Sequence, residues 1–86
     1  MYCVYFIYSD KLNRAYIGQT ANINKRLNAH NRGKVKSTRM GTPWRLLGIE
    51  EYSDRWMAMR REKYLKSLYG YKTRKRIVEE LTKLKH

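Results

Sequence analysis

Tyr2-Cys3-Val4-Tyr5-Phe6-Ile7-Tyr8, then Ser9-Asp10-Lys11-Leu12-Asn13, then Arg14-Ala15-Tyr16-Ile17-Gly18: this opening stretch decides the fold. The first run is β-branched and aromatic, the composition of a buried strand. The polar run after it has the length of a hairpin connector. Residues 14 to 17 read as a second, shorter strand, antiparallel to the first. Gly18 then allows a sharp exit or a close approach of another group to the backbone. Tyr2 and Tyr8 have the opposite parity to Tyr5 and point to the other face of strand one.

The rest of the order follows from periodicity and caps. A helix is expected from about Asn22 to Asn31, capped by Thr20 or Asn22, seamed by Ile23 and Leu27, with Ala29 for close packing and Gly33 at its end. Residues 32 to 45 carry Arg32, Lys34, Lys36, Arg39 and Arg45 and no acid, and Gly33, Gly41 and Pro43 keep that stretch irregular. Trp44 to Tyr52 reads as the third strand, with Leu46, Leu47 and Ile49 as core candidates. Ser53 or Asp54 caps a helix from about Arg55 to Tyr69, stopped by Gly70. A last helix covers about Thr73 to Lys85, pinned to the sheet by Ile77, Leu81 and Leu84. The order β-β-α-β-α-α gives an α/β (α+β) fold, a small three-stranded, mainly antiparallel sheet flanked by helices. The expected arrangement is a layer with one face covered.

The chain has 86 residues, and residues 1–86 are read as a single domain. Its lone cysteine, Cys3, forms no internal disulfide and, with only two histidines, no zinc site. A reduced, cytoplasmic setting is the default. No stretch reaches the ~20 apolar residues of a membrane span, so no membrane partner is expected, and no stable protein partner is indicated. Lys plus Arg number 20 against 7 Asp plus Glu, for a formal net charge of +13. Such a field attracts polyanions, and nucleic acid is the expected partner. A ribosomal-type RNA binder has the same balance, so charge names a partner class and no reaction.

Three features of the helices bear on chemistry. Arg26 and His30 are four apart and share a helical face. At about 100° per residue they border the Ile23–Leu27 seam; the bland reading is a snorkelling Arg and a His that binds a nearby carbonyl. Glu62 lies only about 40° from Ala58, on the face that packs on the sheet, with Leu65 and Tyr69 beside it. A carboxylate there is costly unless it is paired or binds a cation. Its bland reading is a salt bridge to Arg60, Arg61 or a nearby lysine.

In combination these residues resemble the GIY-YIG endonuclease domain, from Tyr2 to about Ser67. Cys3-Val4-Tyr5 stands where that family has Gly-Ile-Tyr. Tyr16-Ile17-Gly18 is intact and is followed by Gln19-Thr20. Arg26-Leu27-Asn28-Ala29-His30-Asn31 matches the helix with the family's arginine and, four residues on, its histidine or tyrosine. Pro43-Trp44-Arg45-Leu46-Leu47 and Glu50-Glu51-Tyr52 resemble the third strand, and Ala58-Met59-Arg60-Arg61-Glu62 the segment ending in the metal-binding glutamate. The likeness is greatest to the small, stand-alone bacterial proteins of this superfamily. The segment Lys66 to Arg76 is its least family-like part, and a late asparagine used by some relatives has no clear counterpart.

The resemblance implies a metal-dependent endonuclease that hydrolyses DNA phosphodiesters, structure-selective and acting in repair or recombination. Glu62 would hold one Mg²⁺ or Mn²⁺. Arg26 would neutralise charge on the phosphoryl group, Tyr5 would be the general base, Tyr16 would position water or phosphate, and His30 would relay a proton or hold the phosphate. Lys34, Lys36, Arg39 and Arg45 are the expected nucleic-acid contacts, to DNA first and with RNA open. The alternative is a basic nucleic-acid-binding module that keeps the fold without useful catalysis.

Overall fold

β1 (Tyr2–Ser9) is the middle strand of a three-stranded sheet, with β2 (Arg14–Thr20) on one side and β3 (Trp44–Tyr52) on the other, both antiparallel to it. The computed structural model describes residues 1–84. α1 (Ile23–Asn31) follows β2, a short 3₁₀ segment over Lys36–Gly41 precedes β3, and α2 (Arg55–Lys66) and α3 (Tyr71–Leu84) complete the chain. Asn22 caps α1 by accepting from the Lys25 amide, and Asp54 caps α2 by accepting from the Trp56 amide.

Both faces of the sheet are covered, not one. Val4 and Phe6 pack with Ile17, Leu47, Ala58 and Leu65 under α2 and α3. Cys3, Tyr5 and Ile7 pack on the other face with Trp44, and Ile23 and Leu27 of α1 close over them. The reason is the composition of β1, which is apolar at both parities and therefore needs a partner on each side.

The register of β1 against β3 slips between Phe6, opposite Gly48, and Ile7, opposite Leu46, which leaves Leu47 without a cross-strand partner. Leu46 thus faces α1 while Leu47 faces α2 and α3. Ile49, expected in the core, is instead exposed, since it shares the α1 face opposite Tyr5 but lies outside the α1 cluster.

α2 stops at Lys66, short of Tyr69. The Ser67 hydroxyl donates to the Tyr64 carbonyl at 2.6 Å and accepts from the Gly70 amide at 3.3 Å, so a side chain takes over the backbone groups that would continue the helix. Leu68 and Tyr69 are 93% and 90% exposed, and Tyr69 does not pack on the sheet as expected. Gly70 lets the chain fold back, because a Cβ there would sit 2.0 Å from the Tyr64 carbonyl oxygen. α3 begins at Tyr71 and packs through Ile77, Val78 and Leu81. The expected anchor at Leu84 and the helix end at Lys85 lie outside what is described.

Candidate active site

Tyr5 leaves the middle of β1 on the α1 face and crosses its neighbour, Gly18 of β2. A Cβ at Gly18 would lie 2.4 Å from the Tyr5 hydroxyl. The glycine therefore serves close approach; β2 does not turn there but continues to Thr20. Beyond Gly18 the Tyr5 hydroxyl lies 2.8 Å from Nε2 of His30 and accepts from Nε–H of Arg26 at 3.4 Å.

His30 is fully buried, the most buried residue of α1 rather than a border residue of its seam. It binds no carbonyl. Its Nδ1 lies 2.6 Å from the hydroxyl of Thr38, itself 1% exposed. Thr38 donates onward to the Val35 carbonyl at 3.4 Å, so its oxygen is the acceptor for Nδ1–H. That assignment leaves Nε2 unprotonated to accept from the Tyr5 hydroxyl. Thr38 is held in turn by the Trp44 indole, which donates to its carbonyl at 2.8 Å, and Asn31 ties α1 to Trp44 through both backbone groups.

Thr38→Val keeps the shape and removes the acceptor of Nδ1–H. The expected outcome is a loss of about 1–3 kcal/mol in urea unfolding, the cost of an unsatisfied buried donor, and a changed His30 tautomer in ¹⁵N NMR. Thr38→Ser restores both; an unchanged tautomer in Thr38→Val contradicts the assignment.

Burial, with the Arg26 charge beside it, lowers the His30 pKa to about 4. The unfolded chain takes that proton near the ordinary 6.5 and the folded chain only near 4. Between those values the unfolded state binds more protons, so stability falls as pH drops from 6.5 to 4, by roughly 3 kcal/mol from this group. Urea melts at pH 7, 5.5 and 4 measure it, and a His30 ring resonance titrating near 6.5 in the folded protein would contradict it. Burial also pushes the Tyr5 phenol above its ordinary value, against the opposing bond and charge of Arg26.

The second half of the site wraps around the edge of β2. The Tyr16 ring packs edge-on against His30, 5.4 Å between centroids, and against Trp44 at 6.2 Å. Lys66 of α2 places its ammonium 4.9 Å from the centre of the Tyr16 ring and bonds the Glu62 carboxylate at 2.9 Å. Glu62 is thus half-buried and paired with a lysine, which is its bland reading. Arg26, Tyr5, His30, Tyr16, Lys66 and Glu62 form one unbroken chain of neighbours. Thr38 and Lys66 were missed from sequence. Lys66 is four residues after Glu62, a spacing that marks the pair; Thr38, in the 3₁₀ segment where the sequence reads as irregular, carries no such signal.

The expected nucleic-acid contacts do not join this chain. Arg45 bonds Asp10 at 3.0 Å and stacks on Tyr8, and Arg39 donates to the Gly33 carbonyl. Lys34 and Lys36 flank Val35 on the segment that carries Thr38.

Among the described residues no group of three His, Cys, Asp or Glu side chains is placed to cage a metal ion. Glu62 offers one hard carboxylate, 23% exposed, with an ammonium already where a cation belongs. That donor set suits a hard, mostly hydrated ion such as Mg²⁺. No described helix is long and apolar enough to cross a membrane.

Comparison with known proteins agrees with this geometry. The family model described as the GIY-YIG catalytic domain matches residues 1–76. The match runs past Ser67 into α3, further than the motifs alone reach. A UPF0213 protein of Bacillus licheniformis is 39% identical over 77 residues, spanning 88% of this chain and 78% of that protein. Two UPF0213 proteins of Streptococcus agalactiae, from strains of serotypes V and III, are each 42% identical over 60 residues, 69% of this chain and 64% of theirs. No solved structure matches. With Tyr5, Tyr16, Arg26, His30 and Glu62 on one connected site and the family model covering nearly the whole chain, the protein belongs to the GIY-YIG family of nuclease domains.

Proposed function

We propose that the protein is a metal-dependent endonuclease that hydrolyses DNA phosphodiester bonds, selecting its substrates by structure in repair or recombination. The observation that carries this reading is the run of touching side chains from Arg26 to Glu62 at one edge of the sheet. Glu62 is the residue to hold Mg²⁺ or Mn²⁺. When bound, the ion supplies Lewis-acid polarisation of the scissile phosphate and stabilises the leaving 3′ oxygen.

The protein's own groups do the rest. The Tyr5 phenol, pushed above its ordinary value by burial, is protonated at neutral pH as any phenol is, so Tyr5 takes a proton from the attacking water only while passing its own to Nε2 of His30. His30 is neutral above about pH 4 and is free to accept. Arg26 commits Nε–H to Tyr5 and keeps its terminal nitrogens for phosphoryl oxygens. Tyr16 positions water or phosphate beside Lys66, whose ammonium, now on Glu62, would be free for phosphate oxygens if Glu62 held a cation. Lys34, Lys36, Arg39 and Arg45 bind further phosphates, Arg45 at the expense of its bond to Asp10.

One observation favours the second reading, a nucleic-acid-binding module without useful cleavage: Lys66 already balances Glu62. Incubation of single-stranded, duplex, flap and branched DNA with Mg²⁺, Mn²⁺ or EDTA separates the two. The endonuclease reading expects metal-dependent products and activity that co-elutes with the 10.5 kDa protein. Salt-sensitive binding with no cleavage of any substrate supports the module instead.

A further inference from the structure

β2 is an edge strand, and its outer side pairs with no other strand. Two clefts lie along it, one at each end. The cleft at Gln19–Thr20, about 250 Å³, is lined by Arg26 and Arg55. The cleft at the opposite end, about 830 Å³, runs between β2 and α3 and is lined by Arg14, Tyr16, Lys66, Arg74 and Lys75, with Glu79 its one acid. Arg26 belongs to both the first cleft and the run of site residues; Tyr16 and Lys66 belong to both that run and the second cleft. Gly18, under the Tyr5 hydroxyl, lies between them on the strand. The seven residues of β2 span about 20 Å at the usual strand rise.

Apart from Lys66, the cations of these clefts have no acidic partner among the described residues. The salt bridges among the described residues join Arg45 to Asp10, Arg61 to Glu50 and Lys66 to Glu62; none neutralises Arg14, Arg55, Arg74 or Lys75. Arg74 is braced by donating to the Leu65 carbonyl at 2.9 Å and by stacking on Tyr71, 5.2 Å from the ring centre. One guanidinium nitrogen is thereby fixed, and Arg74 lines the cleft with donors left for phosphate oxygens.

We propose that the open edge of β2 is a substrate track. The strand being cut runs along it, its sugar-phosphate backbone gripped by Arg14, Lys66, Arg74 and Lys75 on one side of Glu62 and by Arg26 and Arg55 on the other. This rests on the endonuclease reading, and it assigns to α3 a role in holding substrate that the motifs at the site do not carry.

The test is the binding of a fluorescein-labelled DNA oligonucleotide in EDTA, where nothing is cut. The Arg14→Glu/Lys75→Glu protein, changed at two exposed positions, is compared with Lys63→Glu/Lys83→Glu, which alters the net charge equally away from the clefts. The expected result is a Kd raised at least tenfold for the first pair, with the slope of log K against log salt reduced by about two, one for each phosphate no longer neutralised. The second pair changes Kd less than threefold. In single-turnover cleavage the first pair raises the half-saturating concentration and leaves the maximal rate unchanged. Equal losses in both pairs, or wild-type binding by the first, overturn the track. Binding that follows the expected pattern, with no cleavage by the wild type, would sink the endonuclease reading and leave the edge of β2 as a nucleic-acid-binding track only.

Discussion

Glu62→Gln is expected to cut DNA at least about a thousandfold more slowly than the wild type while folding normally. Gln keeps the shape and removes the one carboxylate charge that the proposed function assigns to holding a divalent cation. Stability is a separate matter. The Glu62–Lys66 pair is an i,i+4 contact between partly exposed side chains, a class worth at most about 1 kcal/mol. Thermal unfolding followed by circular dichroism and single-turnover cleavage, run on one preparation, measure both halves. Cleavage at the wild-type rate would place the chemistry elsewhere or in a contaminant.

Gly18→Ala is the second large effect, and it arises from packing. The new methyl would meet the Tyr5 hydroxyl at 2.4 Å and its ring carbon Cζ at 2.5 Å. Tyr5 cannot swing aside, since its ring is buried and its hydroxyl is held by His30 and Arg26. β2 cannot slide, since its register against β1 is set from Thr20 to Arg14. The expected cost is about 1–3 kcal/mol of stability, with at least a hundredfold loss of cleavage from displacing the Tyr5 oxygen. Gly48→Ala is the control: its methyl meets only the tip of Leu81, at 3.1 Å, and the cleavage rate should hold. Full activity in Gly18→Ala would mean that the Tyr5 position does not matter to the reaction.

Much of this arrangement is legible in the sequence because its signals are local. The Asn22 and Asp54 caps, the strand-forming run before Ser9 and the turn around Asp10–Asn13 each act within a few residues. The site follows from motif order, and the inward turn of Glu62 from helical period. The features that escape the sequence depend on contacts between distant segments. The second covered face of the sheet requires β1 to be read at both parities. Leu47 is buried in the core as expected and Leu46 is only partly buried, packed against the opposite cluster; the slipped register opposite Phe6 and Ile7 sends them to different faces, and strand pairing sets that slip. Ile49 is exposed because α1 does not reach it, which the β3 sequence does not register. The end of α2 at Lys66 depends on one serine hydroxyl competing for backbone groups, which periodicity does not register either. Thr38 is the instructive case: nothing in the segment Lys34–Gly41 marks a threonine as the partner of a histidine on the preceding helix, yet it sets which nitrogen of His30 faces Tyr5.

In the proposed function, Glu62 is the place where a divalent cation would meet the Tyr5–His30–Arg26 group. Titration of the ¹⁵N-labelled protein with substoichiometric Mn²⁺ tests that most directly, because paramagnetic broadening reports proximity to the ion whether or not DNA is cut. The predicted result is early loss of the amide signals around Glu62 and Lys66 and of Tyr16 to Gly18, and no such loss in Glu62→Gln. Broadening centred elsewhere, or the same broadening in Glu62→Gln, would contradict it.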